Sequence, residues 1–410
     1  MRIAFDGTTL LPDRTGVGYY AEHLLQHLAT EFPGDEITVI SNRPIDTVLP
    51  LPRNVRVCET HQFGLRLAWL QAVAPRVLDT IRPDVAHFTN GITPIATPCP
   101  VTVTIHDMTL TLCPANHPLR RVLLKRPLQG LAARRSGAIM TVSHAARRDI
   151  LRLYGLPADR VHVVHGAPAA AFRIIDDRAR LDAVRRRYEL PARFVLYVGA
   201  IEPRKNLLRL IEAFACARRE GDLPHTLVCA GPYGWKARGL RQHIDAHHVA
   251  GAVRFLGYVP FDDLPILYNL GEIFAFPSLY EGFGLPVVEA MACGLPVVTA
   301  RTSSLGELAE GAAEAVDPLD TDALAAAILR LAADGERRRH LRELGLARAH
   351  MFSWQRAARQ TRDLYRQVAG LPAALPHPAL APAVAGEALA ISDVDVARGP
   401  AALVPDQGRW

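Results

Sequence analysis

Residues 194–214 read FVLYVGAIEPRKNLLRLIEAF, and this short stretch indicates the fold of the chain. It opens with an uninterrupted apolar run, FVLYV, which stops at Gly199. A polar loop with the adjacent cations Arg204 and Lys205 comes next, and apolar residues then recur at helical spacing. A continuous apolar strand followed by a helix is typical of parallel sheets that are covered on both faces. The stretch therefore predicts one strand-loop-helix unit of an α/β fold.

The same alternation of strands and helices extends to both sides of this unit. Helical patterns such as AEHLLQHL (21–28) and AARRDILRLY (145–154) separate several of the strands. We therefore predict two similar α/β domains, each built on a doubly wound parallel sheet. The predicted strands are 2–6, 36–41, 55–59, 85–89, 101–107, 138–143, 161–165, 194–200, 226–231, 253–257, 273–277 and 296–300.

The order of the segments predicts the domain boundaries. The strand pattern breaks at 168–190, a polar stretch rich in arginine, and then restarts. Beyond residue 370 the chain is rich in alanine and proline and has no sustained apolar period, which is typical of disordered segments. The prediction is an N-terminal domain over 1–167, a linker over 168–190, a C-terminal domain over 191–352, a last amphipathic helix over 353–369 and a disordered tail over 371–410.

The composition argues against several classes of protein. The 410 residues are 49% apolar with a formal net charge of +6, which suffices for two cores and is too small an excess to indicate nucleic-acid binding. No apolar run approaches the length of about 18 residues that a membrane span needs, and Asp6 interrupts the N-terminus before a signal peptide could form. The six cysteines are scattered without C-x-x-C spacing, which argues against a disulfide framework or a zinc site. We therefore expect a cytoplasmic protein.

One basic segment contains leucines as well as cations, and it leaves two interpretations open. It is either a solvated helix face, which the sequence favours, or a peripheral contact with anionic lipid headgroups at the inner face of the cytoplasmic membrane. The cations are Arg120, Arg121, Lys125, Arg126, Arg134 and Arg135, and the leucines are Leu123, Leu124, Leu128 and Leu131.

Residues that directly follow strands are the candidates for a binding site, because open parallel sheets bind ligands beyond the carboxyl ends of their strands. After the first strand, Gly16, Gly18 and Ala21 match the dinucleotide fingerprint G-x-G-x-x-A. About nine residues separate strand and fingerprint, and the second strand ends without an acid for a ribose, so we do not expect a nicotinamide or flavin enzyme. Glycines that open a helix still offer N–H groups to an anion, and the alternative is a plain helix-entry turn.

Two further strand ends carry polar side chains. VTVTIHD (101–107) places His106 where a neutral imidazole could hydrogen-bond a sugar hydroxyl or a backbone carbonyl, although a structural role is the alternative. In the loop after 194–200, Arg204 and Lys205 precede a helix. Their charges and the helix dipole would act together on a diphosphate, whereas the alternative is a solvated cation pair.

The stretch YEGFGLPVVE (280–289) carries two carboxylates, Glu281 and Glu289. It follows a predicted strand, and Pro286 suits a first helical turn, so Glu281 should lie in a loop and Glu289 early on a helix. Buried carboxylates are costly unless something pairs with them. Acid/base chemistry, a metal and a bound ligand are the three explanations to be weighed.

Taken in order, these motifs resemble those of the retaining GT-B glycosyltransferases of family 4, which include many bacterial mannosyltransferases. The likeness covers residues 1–369. Its motifs are GVGYY (16–20), IHD (105–107), VGAIEPRKN (198–206), CAGPYGW (229–235), EGFGLPVVE (281–289), PVVTA…SSLGE (296–307) and VDPLD (316–320).

The resemblance implies a GT-B fold, that is, two Rossmann-like domains whose parallel sheets face a central cleft, with a nucleotide sugar bound mainly by the C-terminal domain. It implies that Arg204 and Lys205 bind the diphosphate. It also implies that Glu281 contacts the donor sugar and Glu289 the ribose hydroxyls. His106 would lie near the transferred sugar. The catalytic group implied in this way is His106, Arg204, Lys205 and Glu281.

Further features follow from the resemblance alone. Gly16 and Gly18 would lie near phosphate and acceptor, and the last helix, 353–369, would cross back to the N-terminal domain. The reaction would be a front-face displacement that retains the anomeric configuration, with no cofactor and no bound metal. The other residues implied at the donor site are Gly199, Gly282, Phe283, Gly284 and Leu285.

The sequence therefore predicts a hexosyltransferase of cell-surface polysaccharide synthesis. Its donor would be a nucleotide sugar, GDP-mannose or a related GDP-hexose by likeness to mannosyltransferases, and its acceptor a glycan or lipid-linked saccharide. A sugar-nucleotide epimerase or a glycogen-phosphorylase-like enzyme on the same architecture remains an alternative. So do a non-catalytic sugar-nucleotide binder and a glycosidase that uses Glu281 and Glu289 as its carboxylate pair.

Overall fold

The computed structural model describes residues 1–12, 15–60, 66–221, 223–232 and 239–372. The end of the 229–235 motif and the predicted tail from residue 373 onward lie outside the described residues. The chain forms two compact units. The first comprises Met1–Gly166 together with a segment that begins at Ser353, and the second comprises Ala167–Phe352.

The first unit is built on a seven-stranded sheet in which all neighbouring strands are parallel. Its strands are β1 (Arg2–Asp6), β2 (Glu36–Ser41), β3 (Val55–Glu59), β4 (Val85–Phe88), β5 (Val101–Thr104), β6 (Ala138–Thr141) and β7 (Val161–Val163). Their order is β3-β2-β1-β4-β5-β6-β7, the doubly wound arrangement that the sequence predicts. The central strands β4, β5 and β6 are buried throughout, as expected of strands covered on both faces.

The helices of the first unit connect these strands. They are α1 (Gly16–Glu31), α2 (Arg66–Ala72), α3 (Ala74–Ile81), α4 (Thr109–Leu112), α5 (Leu119–Arg135) and α6 (His144–Tyr154), with 3₁₀ turns at Pro114–Asn116 and Ala158–Arg160. Among the described residues, no helix of the chain has both the length and the apolar character needed to cross a membrane.

The second unit has a six-stranded, fully parallel sheet. Its strands are β8 (Phe194–Val198), β9 (Thr226–Ala230), β10 (Val253–Gly257), β11 (Ile273–Phe276), β12 (Val297–Ala300) and β13 (Glu314–Val316), in the order β10-β9-β8-β11-β12-β13. The short edge strand β13 is not among the predicted strands, because three residues are too few for a recognisable pattern.

Helices of the second unit follow its strands, and the first of them corrects one expectation. The predicted linker 168–190 contains α7, and it belongs to this unit because the Arg187 guanidinium and the Tyr188 hydroxyl both bind Asp263, each at 2.8 Å. The helices are α7 (Arg178–Arg187), α8 (Leu207–Gly221), α9 (Leu240–Ala246), α10 (Leu264–Leu270), α11 (Leu285–Ala292), α12 (Ser303–Ala309), α13 (Thr321–Ala333) and α14 (Gly335–His350), with 3₁₀ turns at Pro203–Lys205 and Ala250–Ala252.

The last helix, α15 (Trp354–Val368), packs within the first unit. Its Arg362 binds Asp35 at 2.6 Å, and its Tyr365 hydroxyl lies 2.6 Å from Nδ1 of the buried His87 on β4. A second ion pair joins Arg359 to Glu31 at the end of α1. These contacts fix the helix on the N-terminal sheet.

Candidate functional site

The loops after β8 and β9 each begin with a glycine, and these two glycines are in close contact. Gly199 hydrogen-bonds the carbonyl of Ala230 at the end of β9 and lies directly against Gly231. Gly231 has a φ of 143°, and a Cβ atom there would collide with the Gly199 carbonyl. The two glycines therefore allow the backbones of these two loops to touch at the carboxyl edge of the sheet, where parallel sheets bind ligands.

Arg204 and Lys205 occupy a single 3₁₀ turn, Pro203–Lys205, immediately before α8. Asn206 closes the turn in the left-handed conformation, with a φ of 60°. Its side-chain amide donates to the carbonyls of Pro277 and Pro318, at 3.0 and 2.7 Å. The turn is thereby attached to the segments that follow β11 and β13, which fixes the two cations at the sheet edge.

Glu281 lies between these two cations. Lys205 Nζ is 2.7 Å from its Oε1 and Arg204 Nη1 is 2.8 Å from its Oε2, while Ser278 Oγ donates to Oε1 at 2.6 Å. Arg204 also pairs with Glu202 at 2.7 Å. The side chains of Arg204, Lys205 and Glu281 are at most 16% exposed. We call these three residues and Glu202 the ion-pair cluster.

The electrostatics of the ion-pair cluster favour one protonation state of Glu281. Burial alone would raise the pKa of this carboxyl, but Arg204 and Lys205 outweigh that effect and hold the pKa at about 2. Glu281 is therefore ionised at neutral pH. Because both of its oxygens bind cations, it is unsuited to act as a proton donor or as the nucleophile of a glycosidase.

Lys205 keeps donors for a further partner. Burial lowers the pKa of its ammonium, and Glu281 offsets this only in part. An ammonium has three N–H donors. Within the part of the chain that the structure describes, Nζ donates one of them to Glu281 and lies 4.9 Å from the centre of the Phe276 ring. The remaining donors can bind an anion such as a phosphate.

Glu289 lies on the second turn of α11 and does not bind the ion-pair cluster in the described structure. The Tyr268 hydroxyl of α10 donates to its Oε2 at 3.0 Å. Burial raises the pKa of Glu289 to about 7, and the hydrogen bond from Tyr268 offsets this only in part. The two glutamates of the sequence motif therefore lie in opposite electrostatic environments.

The residues between the two glutamates shape the start of α11. Gly284 has a φ of 109°, and a Cβ atom there would lie 2.7 Å from a methyl of Leu305, so glycine is needed on both counts. Phe283 packs edge-on against Phe352 with ring centres 5.3 Å apart. Gly282 lies in the same loop, and Leu285 is the first residue of the helix.

His106 follows β5 in the first unit and is held as a neutral imidazole. Its Nε2 lies 2.9 Å from the Thr89 carbonyl, which can only accept, so Nε2 carries the proton and Nδ1 is an acceptor. Burial lowers its pKa, and the Tyr20 ring packs edge-on at 5.0 Å. The side chain thus contacts a backbone carbonyl, one of the two partners that the sequence suggests.

Gly16 and Gly18 lie in the first turn of α1, also in the first unit. A Cβ atom at Gly16 would meet no other atom of the described residues within 4 Å. The first turn contains no acidic residue, and within the described part of the chain the side chain of the N-cap Thr15 does not cap the helix. The N–H groups of this turn are thus well placed to bind an anion.

The structure brings together Arg204, Lys205 and Glu281, and it adds three partners that sequence reasoning does not identify. Ser278 directly follows the predicted strand 273–277, so its position could have suggested a role. Tyr268, the partner of Glu289, lies on a different helix and gives no signal in the sequence. Ser303, which accepts a hydrogen bond from the Glu281 N–H at 3.1 Å, lies in the SSLGE segment of the 296–307 motif, but that motif does not reveal its partner.

Comparison with known proteins places this geometry in a family. The models described as Glycosyltransferase Family 4 and Glycosyl transferases group 1 match residues 14–167 and 183–348. The chain is 32% identical over 381 residues to the O-antigen chain mannosyltransferase B of Escherichia coli, covering 89% of this chain and 100% of that protein. The chain belongs to glycosyltransferase family 4. It is a hexosyltransferase, and the group 1 match contains the whole ion-pair cluster and Glu289.

Solved structures agree with the GT-B fold expected from the sequence. Sucrose-phosphate synthase from Thermosynechococcus elongatus superimposes with a TM-score of 0.73 at 22% identity, covering 90% of this chain and 98% of that one. HepE of Anabaena, solved in complex with UDP and glucose, gives a TM-score of 0.71 at 22% identity, covering 90% and 100%. The GT-B prediction of two parallel-sheet α/β domains is thereby confirmed for this glycosyltransferase.

Proposed function

We propose that this glycosyltransferase transfers mannose, or a related hexose, from a GDP-sugar to a glycan or lipid-linked saccharide of a cell-surface polysaccharide. The choice of sugar is supported by the full-length similarity to an O-antigen mannosyltransferase. The placement of the donor is supported by one observation, the ion-pair cluster at the carboxyl edge of the second sheet. We further propose that the anomeric configuration is retained, as the motifs of the family imply.

The residues of the ion-pair cluster suit the departure of a nucleoside diphosphate. As the bond to the sugar breaks, negative charge accumulates on the leaving phosphate, and fixed donors there lower the barrier. Lys205 and Arg204 are proposed to bind the diphosphate, and Glu281 to hold both cations and contact the sugar. In the first unit, Nδ1 of His106 is proposed to accept a hydrogen bond from a sugar hydroxyl.

The proposed donor is tested by thermal shift with GDP-, UDP-, dTDP- and ADP-sugars. A ligand at 100 times its dissociation constant stabilises a protein by about 2.7 kcal/mol, so the donor should stand out. We expect the largest shift with GDP-mannose, followed by transfer to a saccharide acceptor with an α-linked product. A larger shift with a UDP-sugar would overturn the choice of nucleotide. Release of a free epimerised sugar without an acceptor would instead establish an epimerase.

Glu289 should make donor binding depend on pH. We propose that its carboxylate accepts hydrogen bonds from the ribose hydroxyls, and a protonated carboxyl accepts them poorly. Since its pKa is about 7, the affinity for GDP should fall by up to about tenfold per unit as pH drops below 7. Titration calorimetry should show that wild type binds GDP more tightly than Glu289→Gln above pH 7. This difference in affinity should disappear near pH 5.

The stability of the same variant provides a control, because ionised Glu289 is expected to favour binding but to disfavour folding. The pKa of Glu289 in the folded protein lies above its ordinary value of 4.5, so ionising it costs stability as pH rises from 4.5 towards 7. Glu289→Gln should therefore melt at a higher temperature than wild type at about pH 8, and the difference should shrink towards pH 5. A variant that is less stable at every pH would contradict the assignment.

We also propose that turnover needs no resident metal, because the family motifs imply a reaction without one. The rate with purified donor and acceptor should then stay unchanged in EDTA. A loss in EDTA that Mn²⁺ restores would refute this proposal.

A further inference from the structure

Three consecutive hydroxyl side chains, Thr302, Ser303 and Ser304, follow β12 and bind the backbone of the loop after β11. Thr302 Oγ1 donates to the Leu279 carbonyl at 3.3 Å. Ser304 Oγ donates to the Glu281 carbonyl at 2.9 Å, and Ser303 Oγ accepts from the Glu281 N–H at 3.1 Å. Both backbone polar groups of Glu281 are therefore bound by neighbouring serines. We call Thr302, Ser303 and Ser304 the hydroxyl triplet.

The hydroxyl triplet lies at the start of α12, but its bonds differ from those usual at the start of a helix. Thr302 is the N-cap residue, and a threonine there ordinarily accepts from an N–H group of the first helical turn. Within the described part of the chain its side chain does not cap α12 and donates to Leu279 instead. Ser304 is fully buried, and its hydroxyl also binds outside the helix. The triplet thus serves the neighbouring loop rather than its own helix.

Ser303 has a strained backbone conformation. Its φ is 54°, in the left-handed region that disfavours residues with a Cβ atom. Among the described residues, the other non-glycine residues with positive φ lie just after a helix or a 3₁₀ turn, where this conformation is common, whereas Ser303 is the first residue of a helix. These others are Arg82, Glu189, Asn206 and His248. Strain of this kind persists only where the surrounding structure enforces it, and it concentrates at functional sites.

We propose that Ser303 and Ser304 are positioning residues for sugar transfer, which act by fixing the backbone of Glu281. This inference rests on the proposed function, in which Glu281 contacts the donor sugar. The serines follow β12, which pairs with β11, so they tie Glu281 to the rigid sheet. A displacement of about 1 Å at a reacting group can lower a rate by about a hundredfold. Strain at Ser303 is then the cost of placing its hydroxyl against the Glu281 N–H.

The loop that carries Glu281 is bound from two sides. On one side, Arg204 accepts from the Leu279 N–H at 2.9 Å and donates to the Tyr280 carbonyl at 2.6 Å. On the other side lies the hydroxyl triplet. Without the serines, Glu281 would keep its bonds to Arg204 and Lys205 but would lose the anchor for its own backbone. The cations proposed to bind the diphosphate would remain, so the defect should appear in kcat and much less in the KM for the donor.

Steady-state kinetics of the double variant Ser303→Ala/Ser304→Ala tests the positioning role. We expect kcat to fall at least about tenfold while the KM for the donor stays within about threefold of wild type. The control is Thr299→Val. Thr299 is equally buried, and its hydroxyl donates to the Phe276 carbonyl at 2.8 Å, so it joins the same two strands without binding Glu281. This control should lower the melting temperature and leave kcat unchanged.

Single substitutions of Ser303 separate the effect of its hydroxyl from that of stability. Ser303→Ala and Ser303→Gly both remove the hydroxyl and should lower kcat about fivefold. Ser303→Gly should nevertheless melt about 2 °C above Ser303→Ala, because glycine adopts positive φ without strain. Ser303→Thr keeps a hydroxyl and should keep kcat within about twofold of wild type, although a β-branched residue at positive φ should lower its melting temperature. Turnover should thus follow the hydroxyl and not the stability.

A double-mutant cycle shows whether the serines act through Glu281. In a Glu281→Gln background, replacing both serines by alanine should lower kcat by less than about twofold. A full tenfold loss in that background would overturn the inference, and so would kcat values that rank with melting temperature among the Ser303 variants. If the serine variant turned over at the wild-type rate while Glu281→Gln was impaired, the inference alone would fail. A fully active Glu281→Gln would overturn the proposed role of Glu281 as well.

Discussion

Replacing Lys205 by alanine should lower kcat/KM by at least about tenfold, which corresponds to about 1.4 kcal/mol of transition-state stabilisation. The variant removes a buried cation whose unused N–H donors are proposed to bind the leaving diphosphate. Because the charge on this group grows during the reaction, the loss should be larger in kcat than in KM. Steady-state kinetics with varied donor concentration measures both.

The control for Lys205→Ala is Arg193→Gln in the same unit. Arg193 is paired with Glu272 at 2.9 Å and is about half exposed, so its replacement should leave turnover unchanged and lower stability by about 1 kcal/mol or less. A Lys205→Ala variant that is folded by circular dichroism and turns over at the wild-type rate would refute the role of Lys205.

Replacing Glu281 by glutamine should destabilise the second unit by about 3 kcal/mol and lower turnover by at least about tenfold. The substitution removes the carboxylate that binds Lys205 and Arg204, while Arg204 keeps its bonds to Glu202 and to the Tyr280 carbonyl. Two buried cations are then poorly compensated. Denaturant titration in the absence of donor measures the stability, and kinetics measures the turnover.

Glu314→Gln is a matched control for Glu281→Gln. Glu314 also bridges two cations, Arg330 and Arg337, at 3.1 and 3.0 Å, but both of these are about half exposed. Its loss should cost about 1 kcal/mol or less and leave turnover unchanged. Equal destabilisation by the two substitutions would show that burial of the ion-pair cluster does not increase the contribution of Glu281 to stability.

The pH dependence gives a further test of Glu281. Its pKa in the folded protein is about 2, below the ordinary value of 4.5. Its contribution to stability should therefore be complete above pH 4.5 and be lost as pH falls towards 2. The stability difference between wild type and Glu281→Gln should accordingly be constant at neutral pH and shrink in acid. The loss of stability in the double variant Glu281→Gln/Lys205→Ala should be smaller than the sum of the two single losses, since the two residues form one ion pair.

The strands could largely be predicted from the sequence. Apolar runs such as FVLYV coincide with β8 because a buried parallel strand must be apolar along its whole length. The edge strand β13 and the helix α7 were missed for related reasons. A three-residue strand carries little pattern, and a helix with five arginines hides its single buried valine, Val184.

The candidate site could be predicted only as a set of positions. The sequence places Arg204, Lys205, Glu281 and Glu289 beyond strand ends, because strand ends are local features. Which of them pair with each other depends on distances that no local pattern encodes. Lys205 and Glu281 are 76 positions apart in the chain, and they meet because β8 and β11 are adjacent and parallel in the sheet.

The sequence alone thus determined the fold class, the strand ends and the family, since periodicity and motif order are properties of the chain. The tertiary structure decided the chemical state of each group. Two glutamates of one motif have pKa values of about 2 and about 7, because Glu281 lies between two cations and Glu289 is buried beside the hydroxyl of Tyr268. Charge separation and burial are set by packing, and packing brings together residues that are remote in the sequence.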